Sequence, residues 1–108
     1  MIQLKFIQSA DADLSGTGEW ARNWLWLGRS KKADVVADDP ECALMHVKIS
    51  VDEKGGFCES GPKAPHFHVN GKKVRGKRPI RPGDQIKIGG TLLEVVRLQY
   101  LALPDARA

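Results

Sequence analysis

A chain of 108 residues, 42% of them hydrophobic, is long enough for one compact domain with its own core and too short for two. No uncharged apolar run approaches the roughly 20 residues that cross a bilayer as a helix, and the opening MIQLKFIQSADADL lacks the basic start and apolar stretch of an export signal, so a soluble cytoplasmic protein is expected. The net charge of +4 is unevenly spread: residues 34–41, DVVADDPE, are acidic, whereas residues 72–87, KKVRGKRPIRPGDQIK, hold seven Lys or Arg against one Asp, which predicts a positive pole.

Period-two alternation dominates the chain from its start. Ile2, Leu4 and Phe6 open a strand that ends before the turn signal Ser15-Gly16-Thr17-Gly18. Across residues 19–27 Trp20, Trp24 and Leu27 fall at helical spacing, but Gly18 and the β-preference of tryptophan favour a strand, with Trp24 and Trp26 sharing one face as core or half-core residues. That strand runs into Gly28-Arg29-Ser30, and Val35-Val36 follows. Val47, Ile49 and Val51 alternate up to a turn over residues 53–56; Phe67 and Val69 precede Asn70-Gly71, a dipeptide suited to a type I′ turn; Ile86 and Ile88 lie between Arg81-Pro82-Gly83-Asp84 and Gly89-Gly90. Short strands with turn signals at such intervals predict an all-β fold, an antiparallel sandwich or barrel, in one domain over residues 1–97, with residues 98–108 a tail or the start of a linker.

The chemistry-bearing residues do not assemble into a catalytic pattern. Cys42 and Cys58 lack CxxC spacing and read as reduced, half-buried small side chains, a disulfide being the lesser alternative. No activated serine or cysteine, paired carboxylate, phosphate-cradling loop or metal-ligand set stands out, so neither an enzyme, a small-molecule substrate, a cofactor nor a metal is expected. His66 and His68 lie two apart on one strand face without further ligands, and His46 fits a histidine that hydrogen-bonds a nearby loop backbone. The basic residues 72–87 read as a solvated strand edge or as a docking surface for an anionic partner; a hairpin at Asn70-Gly71 would carry most of them to the pole opposite Arg29. Nucleic acid and membrane are not expected as partners, since no recognition helix or aromatic platform accompanies the charges.

LGRS at 27–30, DVVADDPECALMH at 34–46, VNGKKV at 69–74 and IRPGDQIKIGGTLLEV at 80–95, in that order, resemble a forkhead-associated (FHA) domain over nearly the whole chain, from Ile2 to about Val96. The resemblance implies a sandwich of two twisted antiparallel sheets with about eleven strands, and a phosphothreonine-peptide site built from loops at one end. It makes Arg29 the phosphate contact, with Gly28 letting the backbone turn and Ser30 adding a hydroxyl; a guanidinium makes charge-assisted, bidentate bonds to phosphate oxygens. Arg29 has a rival use as an ion-pair partner for Asp34, Asp38 or Asp39. Gly28, His46, Gly71, Gly83 and Asp84 take structural roles.

The pattern departs from the family at two positions. The serine three residues before the histidine is Ala43, and the Ser-x-Asn-Gly-Thr loop is replaced by GPKAPHFHVNG, which puts Pro65 and His66 nearest the missing asparagine. Sliding the alignment would instead place Asn70 in that slot, with Lys72 for the threonine. Lys31, Lys32 and Lys63 are candidates to replace the lost donors. The reading is a non-enzymatic protein-interaction module with a degenerate phosphothreonine pocket, binding a protein through Arg29, Ser30, Lys31, Ala43, Lys63, His66 and Asn70. The partner would be a threonine-phosphorylated segment or another domain of the same protein. The resemblance places such a module at the N-terminus of a bacterial signalling or secretion protein. The alternatives are a working phosphothreonine reader using Arg29 and Ser30, and anionic-surface or nucleic-acid binding through residues 72–87.

Overall fold

The computed structural model describes residues 1–62 and 66–102. It contains eleven strands among these residues: β1 (Ile2–Gln8), β2 (Gly16–Trp20), β3 (Trp24–Gly28), β4 (Val35–Val36), β5 (Val47–Asp52), β6 (Gly55–Ser60), β7 (Phe67–Val69), β8 (Lys72–Val74), β9 (Lys77–Ile80), β10 (Gln85–Ile88) and β11 (Thr91–Leu98). They form two sheets, one in the order β2-β1-β11-β10-β7-β8 and one in the order β4-β3-β5-β6-β9. The pairing is antiparallel except between β3 and β4, which run parallel. The expected sandwich is therefore present, with one parallel pair at an edge. Residues 19–27 are not helical; they end β2, turn, and begin β3.

Alternation drives the packing. Ile2 and Leu4 of β1, Leu25 and Leu27 of β3, Val47 and Ile49 of β5, Phe67 and Val69 of β7, Ile86 and Ile88 of β10, and Leu93 and Val95 of β11 are all buried between the sheets. Each buried aliphatic or phenyl side chain of this kind contributes about 1.5–3 kcal/mol relative to exposure. The same alternation turns Trp24 and Trp26 outward, and Trp24 is 45% exposed. Trp24 is thus not a core residue: Arg22 and Lys48 cover it, their cationic groups 5.0 and 5.7 Å from its ring centroid.

Two-residue turns set the registers. Asn70 and Gly71 both have positive φ, 52° and 83°, as a type I′ turn demands, and the Asn70 side chain clasps the next turn through Asp84 Oδ1 at 3.0 Å and the Gln85 N–H at 2.9 Å. Asp84 Oδ2 accepts the Arg81 N–H at 3.0 Å, and Gly83, at φ 98°, donates its N–H to the Val95 carbonyl. β11 continues to Leu98, and the Asn23 amide exchanges two hydrogen bonds with Leu101, so the chain stays attached to the sandwich past the boundary expected at residue 97.

Lysines and a proline blunt the stacked edges β8 (Lys72, Lys73) and β9 (Lys77, Pro79). Between them the chain crosses from one sheet to the other at Arg75-Gly76, pinned by the Gly76 N–H to Ser60 Oγ and the Ser60 N–H to the Gly76 carbonyl, each 3.0 Å. This crossover corrects the single positive pole. The basic residues 72–87 run up β8, down β9 and up β10, so they are divided between both sheets and both ends.

Candidate functional site

β3 ends at Gly28, and the segment leading into β5 folds back beside it. Arg29 and Ser30 donate their N–H groups to the carbonyls of Ala43 and Leu44, both at 3.0 Å, and His46 donates to the Leu27 carbonyl at 2.9 Å. These bonds extend the β3–β5 ladder past the strand ends. The glycine before the arginine is required by space: its φ is not positive, but an added Cβ would lie 2.1 Å from the Leu44 carbonyl oxygen. The expectation that Gly28 permits a turn is thereby replaced by close backbone approach. Gly61, past the end of β6, serves the same segment from the other side, where a Cβ would lie 1.9 Å from the Met45 carbonyl oxygen.

Arg29 projects from this platform into solvent, tethered by Nε donating to the Cys42 carbonyl at 3.2 Å. None of its expected acidic partners pairs with it. Asp34 takes Arg22, the one ion pair among the described residues, and also accepts the Trp26 N–H at 2.8 Å. Asp38 lies on the Asp11 loop, its N–H donating to Asp11 Oδ2 at 2.9 Å. Asp39 is buried and accepts from the Gly90 N–H (2.8 Å), Thr91 Oγ1 (3.0 Å) and the Glu41 N–H (2.9 Å). Burial alone would raise the Asp39 pKa; these three donors together with the nearby Cys42 thiol outweigh it and hold the carboxyl below its ordinary value. Sequence reasoning offered Asp39 only as a counter-ion for Arg29, whereas the fold uses it to fasten residues 37–46 to the β10–β11 turn. Its short acidic run gave no hint of which carboxylate would turn inward.

Around the arginine, Ser30 Oγ accepts the Lys32 N–H at 3.0 Å and the Ser30 carbonyl accepts the Ala33 N–H, closing a turn that leaves Lys31 and Lys32 exposed. Ala43 stands at the wall of the site with no hydroxyl. Its N–H donates to His46 Nδ1 at 3.0 Å, which places the imidazole proton on Nε2, facing the His66 carbonyl at 3.4 Å. His46 is buried, and burial lowers its pKa, so the ring is neutral and joins the residue 43 turn to the start of β7. Beside Arg29 an apolar recess of about 480 Å³ is lined by Ala43, Leu44, Met45 and Pro62, with Leu44 55% exposed. The sequence reading passed over Leu44 and Met45; the available signal was an apolar pair in a segment with no strand alternation.

His66 lies at this end and Asn70 does not. Three strand residues of β7, about 10 Å at 3.3 Å each, separate the start of that strand from the Asn70 turn, so the alignment that makes Asn70 a peptide clamp places it at the opposite end from Arg29, engaged with Asp84. Lys63 and Pro65 lie outside the described residues. Cys42 and Cys58 are free, buried thiols, each pushed up to about 12, Cys42 by burial and the nearby Asp39 and Cys58 by burial, so neither is a nucleophile at neutral pH. His66 and His68 meet edge to face at 5.2 Å, and no three His, Cys, Asp or Glu side chains converge as metal ligands among the described residues.

Fold and site together define a two-sheet β-sandwich with a loop-built, arginine-centred surface at one end. The FHA domain family model matches residues 25–89, and the chain belongs to that family. No curated protein sequence matches it. Among solved structures it is similar to the FHA domain of the CT664 protein from Chlamydia trachomatis, 18% identical with TM-score 0.77, over 91% of this chain and 98% of that one. It is also similar to the FhaA FHA domain complexed with the intracellular domain of Rv3910, 19% identical with TM-score 0.72, over 88% of this chain and 99% of that one. A third similar structure is Mycobacterium tuberculosis EmbR in complex with a low-affinity phosphopeptide, 16% identical with TM-score 0.76, over 94% of this chain and 26% of that one.

Proposed function

We propose that this chain is a non-enzymatic protein-interaction module that receives a segment of a partner protein at the Arg29 end, without the full set of phosphate contacts its family uses. One observation carries the reading: an exposed guanidinium, fixed by its Nε–Cys42 bond and paired with no carboxylate among the described residues, stands beside Lys31, Lys32 and an apolar recess. A rigid sheet behind it keeps the ordering cost of binding low. Ala43 in place of a serine withholds one hydroxyl donor; a hydrogen bond to a charged group contributes about 1.5–3 kcal/mol, so phosphate affinity falls by roughly 10- to 100-fold. The partner is a protein, either a segment or a folded domain, in keeping with FhaA and its bound intracellular domain. We place the module in the cytoplasm, within a larger bacterial signalling or secretion protein; the share of EmbR that this fold occupies, 26%, supports such a setting.

A second reading, a working phosphothreonine reader, is favoured by the same unpaired guanidinium with the Ser30 hydroxyl beside it. Titrating a degenerate phosphothreonine peptide library against wild type, Arg29→Ala and Ala43→Ser separates the two. The first reading expects weak or no binding by wild type and a gain of about tenfold in Ala43→Ser. Micromolar binding by wild type that disappears in Arg29→Ala establishes the reader. Binding of equal strength in wild type and Arg29→Ala overturns both.

A further inference from the structure

The outer faces of the two sheets handle charge differently. On the five-stranded sheet the cross-strand row Lys48–Glu59–Lys77 sets a carboxylate between two ammonium groups. On the six-stranded sheet the row Lys5–Glu94–Gln85 is likewise compensated. The neighbouring row is not: Lys73 of β8, His68 of β7 and Lys87 of β10 stand directly abreast with no acid between them. Lys73 and Lys87 flank His68 on its two sides, so this row holds two ammonium groups and lacks the carboxylate that Glu94 supplies to the row beside it. Behind it lie His66 and Arg75, which continue the same faces of β7 and β8 toward the Arg29 end.

Two members of this row, His68 and Lys87, line a depression, and Lys73 stands beside His68 at its β8 edge. Two adjoining clefts of about 350 and 270 Å³ share His68 and Lys87 as walls, the first continuing to Gly71, Gln85 and Leu92, the second to Glu41, His46, His66 and Gly89. Together they make one groove along the β7–β10 seam that opens at the end where His46 and His66 meet. We propose that this groove binds an acidic peptide segment of the partner protein, its Asp and Glu side chains paired with Lys87 on the groove wall and with Lys73 at its β8 edge. The proposal rests on the reading of the chain as a protein-interaction module, and not on what Arg29 contacts. Charge complementarity selects the occupant. The two exposed large apolar side chains on the β1 and β11 portion of this face, Ile7 and Val96, offer no stacking platform for nucleic-acid bases.

The groove carries its own pH dependence. The charged and titratable groups facing His66 and His68 are Lys73 and Arg75 from β8, Lys87 from β10, and Glu41 and the neutral His46 from residues 37–46. Partial burial, then Lys73, His68 and Arg75, lowers the His66 pKa. An acidic segment offsets that cationic field, favours protonation of the imidazole, and so binds with proton uptake and more tightly as pH falls.

The test is fluorescence anisotropy of a fluorescein-labelled octaglutamate peptide with the full chain, at about 50 mM salt, where surface charge is weakly screened. Binding is expected to strengthen by about threefold or more from pH 7.5 to 6.0, and to weaken at least about tenfold in Lys73→Glu/Lys87→Glu. Lys48→Glu/Lys77→Glu, which changes the net charge equally on the other sheet, is expected to bind as wild type, and His66→Gln/His68→Gln to lose the pH dependence. Urea midpoints confirm that each variant folds. Equal weakening in both lysine pairs, no binding by wild type, undiminished pH dependence without the two histidines, or tighter binding of an octathymidylate than of the peptide each overturns the proposal. Failure of the phosphopeptide titrations at Arg29 leaves all these outcomes unaffected, and their failure leaves Arg29 unaffected.

Discussion

Gly28→Ala tests how the loop end is built. The new Cβ would sit 2.1 Å from the Leu44 oxygen and 2.7 Å from the Leu44 carbonyl carbon, both main-chain atoms that cannot rotate away. Restoring a tolerable contact moves the strand end and the residue 43–45 backbone apart by about 1 Å, which breaks bonds now at 2.9–3.0 Å: Arg29 to Ala43, Ser30 to Leu44 and His46 to Leu27. At about 1 kcal/mol each the loss is about 3 kcal/mol, a large share of the 5–15 kcal/mol that holds a domain of this size. Urea unfolding is expected to show the midpoint lowered with an unchanged m-value, and Tm to fall on the order of 10 °C. Gly71→Ala is the control: nothing lies within 4 Å of its added Cβ and only the φ of 83° is strained, for a cost of about 1–2 kcal/mol. A Gly28→Ala protein within about 0.5 kcal/mol of wild type refutes close approach as the reason for this glycine.

Asp39→Asn keeps the shape but turns one carboxylate oxygen into an NH2 donor, so either the Glu41 N–H or the Gly90 N–H and Thr91 hydroxyl lose their acceptor, costing about 1.5–3 kcal/mol at pH 7. Because the native pKa is depressed, the charge-linked part of this stability is complete above the unfolded carboxylate value of 3.8 and lost as pH falls through the native value, so the difference between variant and wild type narrows in acid denaturation series. His46, also depressed, stabilises in full above the unfolded value of 6.5; unfolding free energy is expected to decline as pH drops below that value, and His46→Gln to flatten the decline. Asn70→Ala removes the bonds to Asp84 and Gln85 and is expected to cost about 1–2 kcal/mol while leaving ligand binding at the Arg29 end unchanged, as isothermal titration of any ligand found there will show.

What the sequence disclosed and what it hid divide along local and non-local physics. Alternation at Ile2, Leu4 and Phe6 and the Asn70-Gly71 turn are decided within a few residues, so the strands and the sandwich were legible, and the LGRS motif drew attention to Arg29, on which the proposed site is centred. Trp24 was misplaced because alternation states only that it shares a face with Trp26, and the facing sheet decides which face is inside. The basic residues 72–87 look like one patch in the chain; the crossover at Gly76, held by Ser60, divides them. The uncompensated row of Lys73, His68 and Lys87 exists only through the registers of β8, β7 and β10. Gly28 was singled out, but its reason, the Leu44 carbonyl, lies sixteen residues further on.

Amide chemical-shift mapping of the labelled domain with a phosphothreonine-containing peptide pool addresses the Arg29 end most directly. Shifts are expected to be small in wild type, to concentrate at Arg29, Ser30, Lys31 and residues 43–46, to grow in Ala43→Ser, and to vanish in Arg29→Ala. Shifts centred instead on Asn70, Gly71 and residues 81–84, or unchanged by Arg29→Ala, contradict the account.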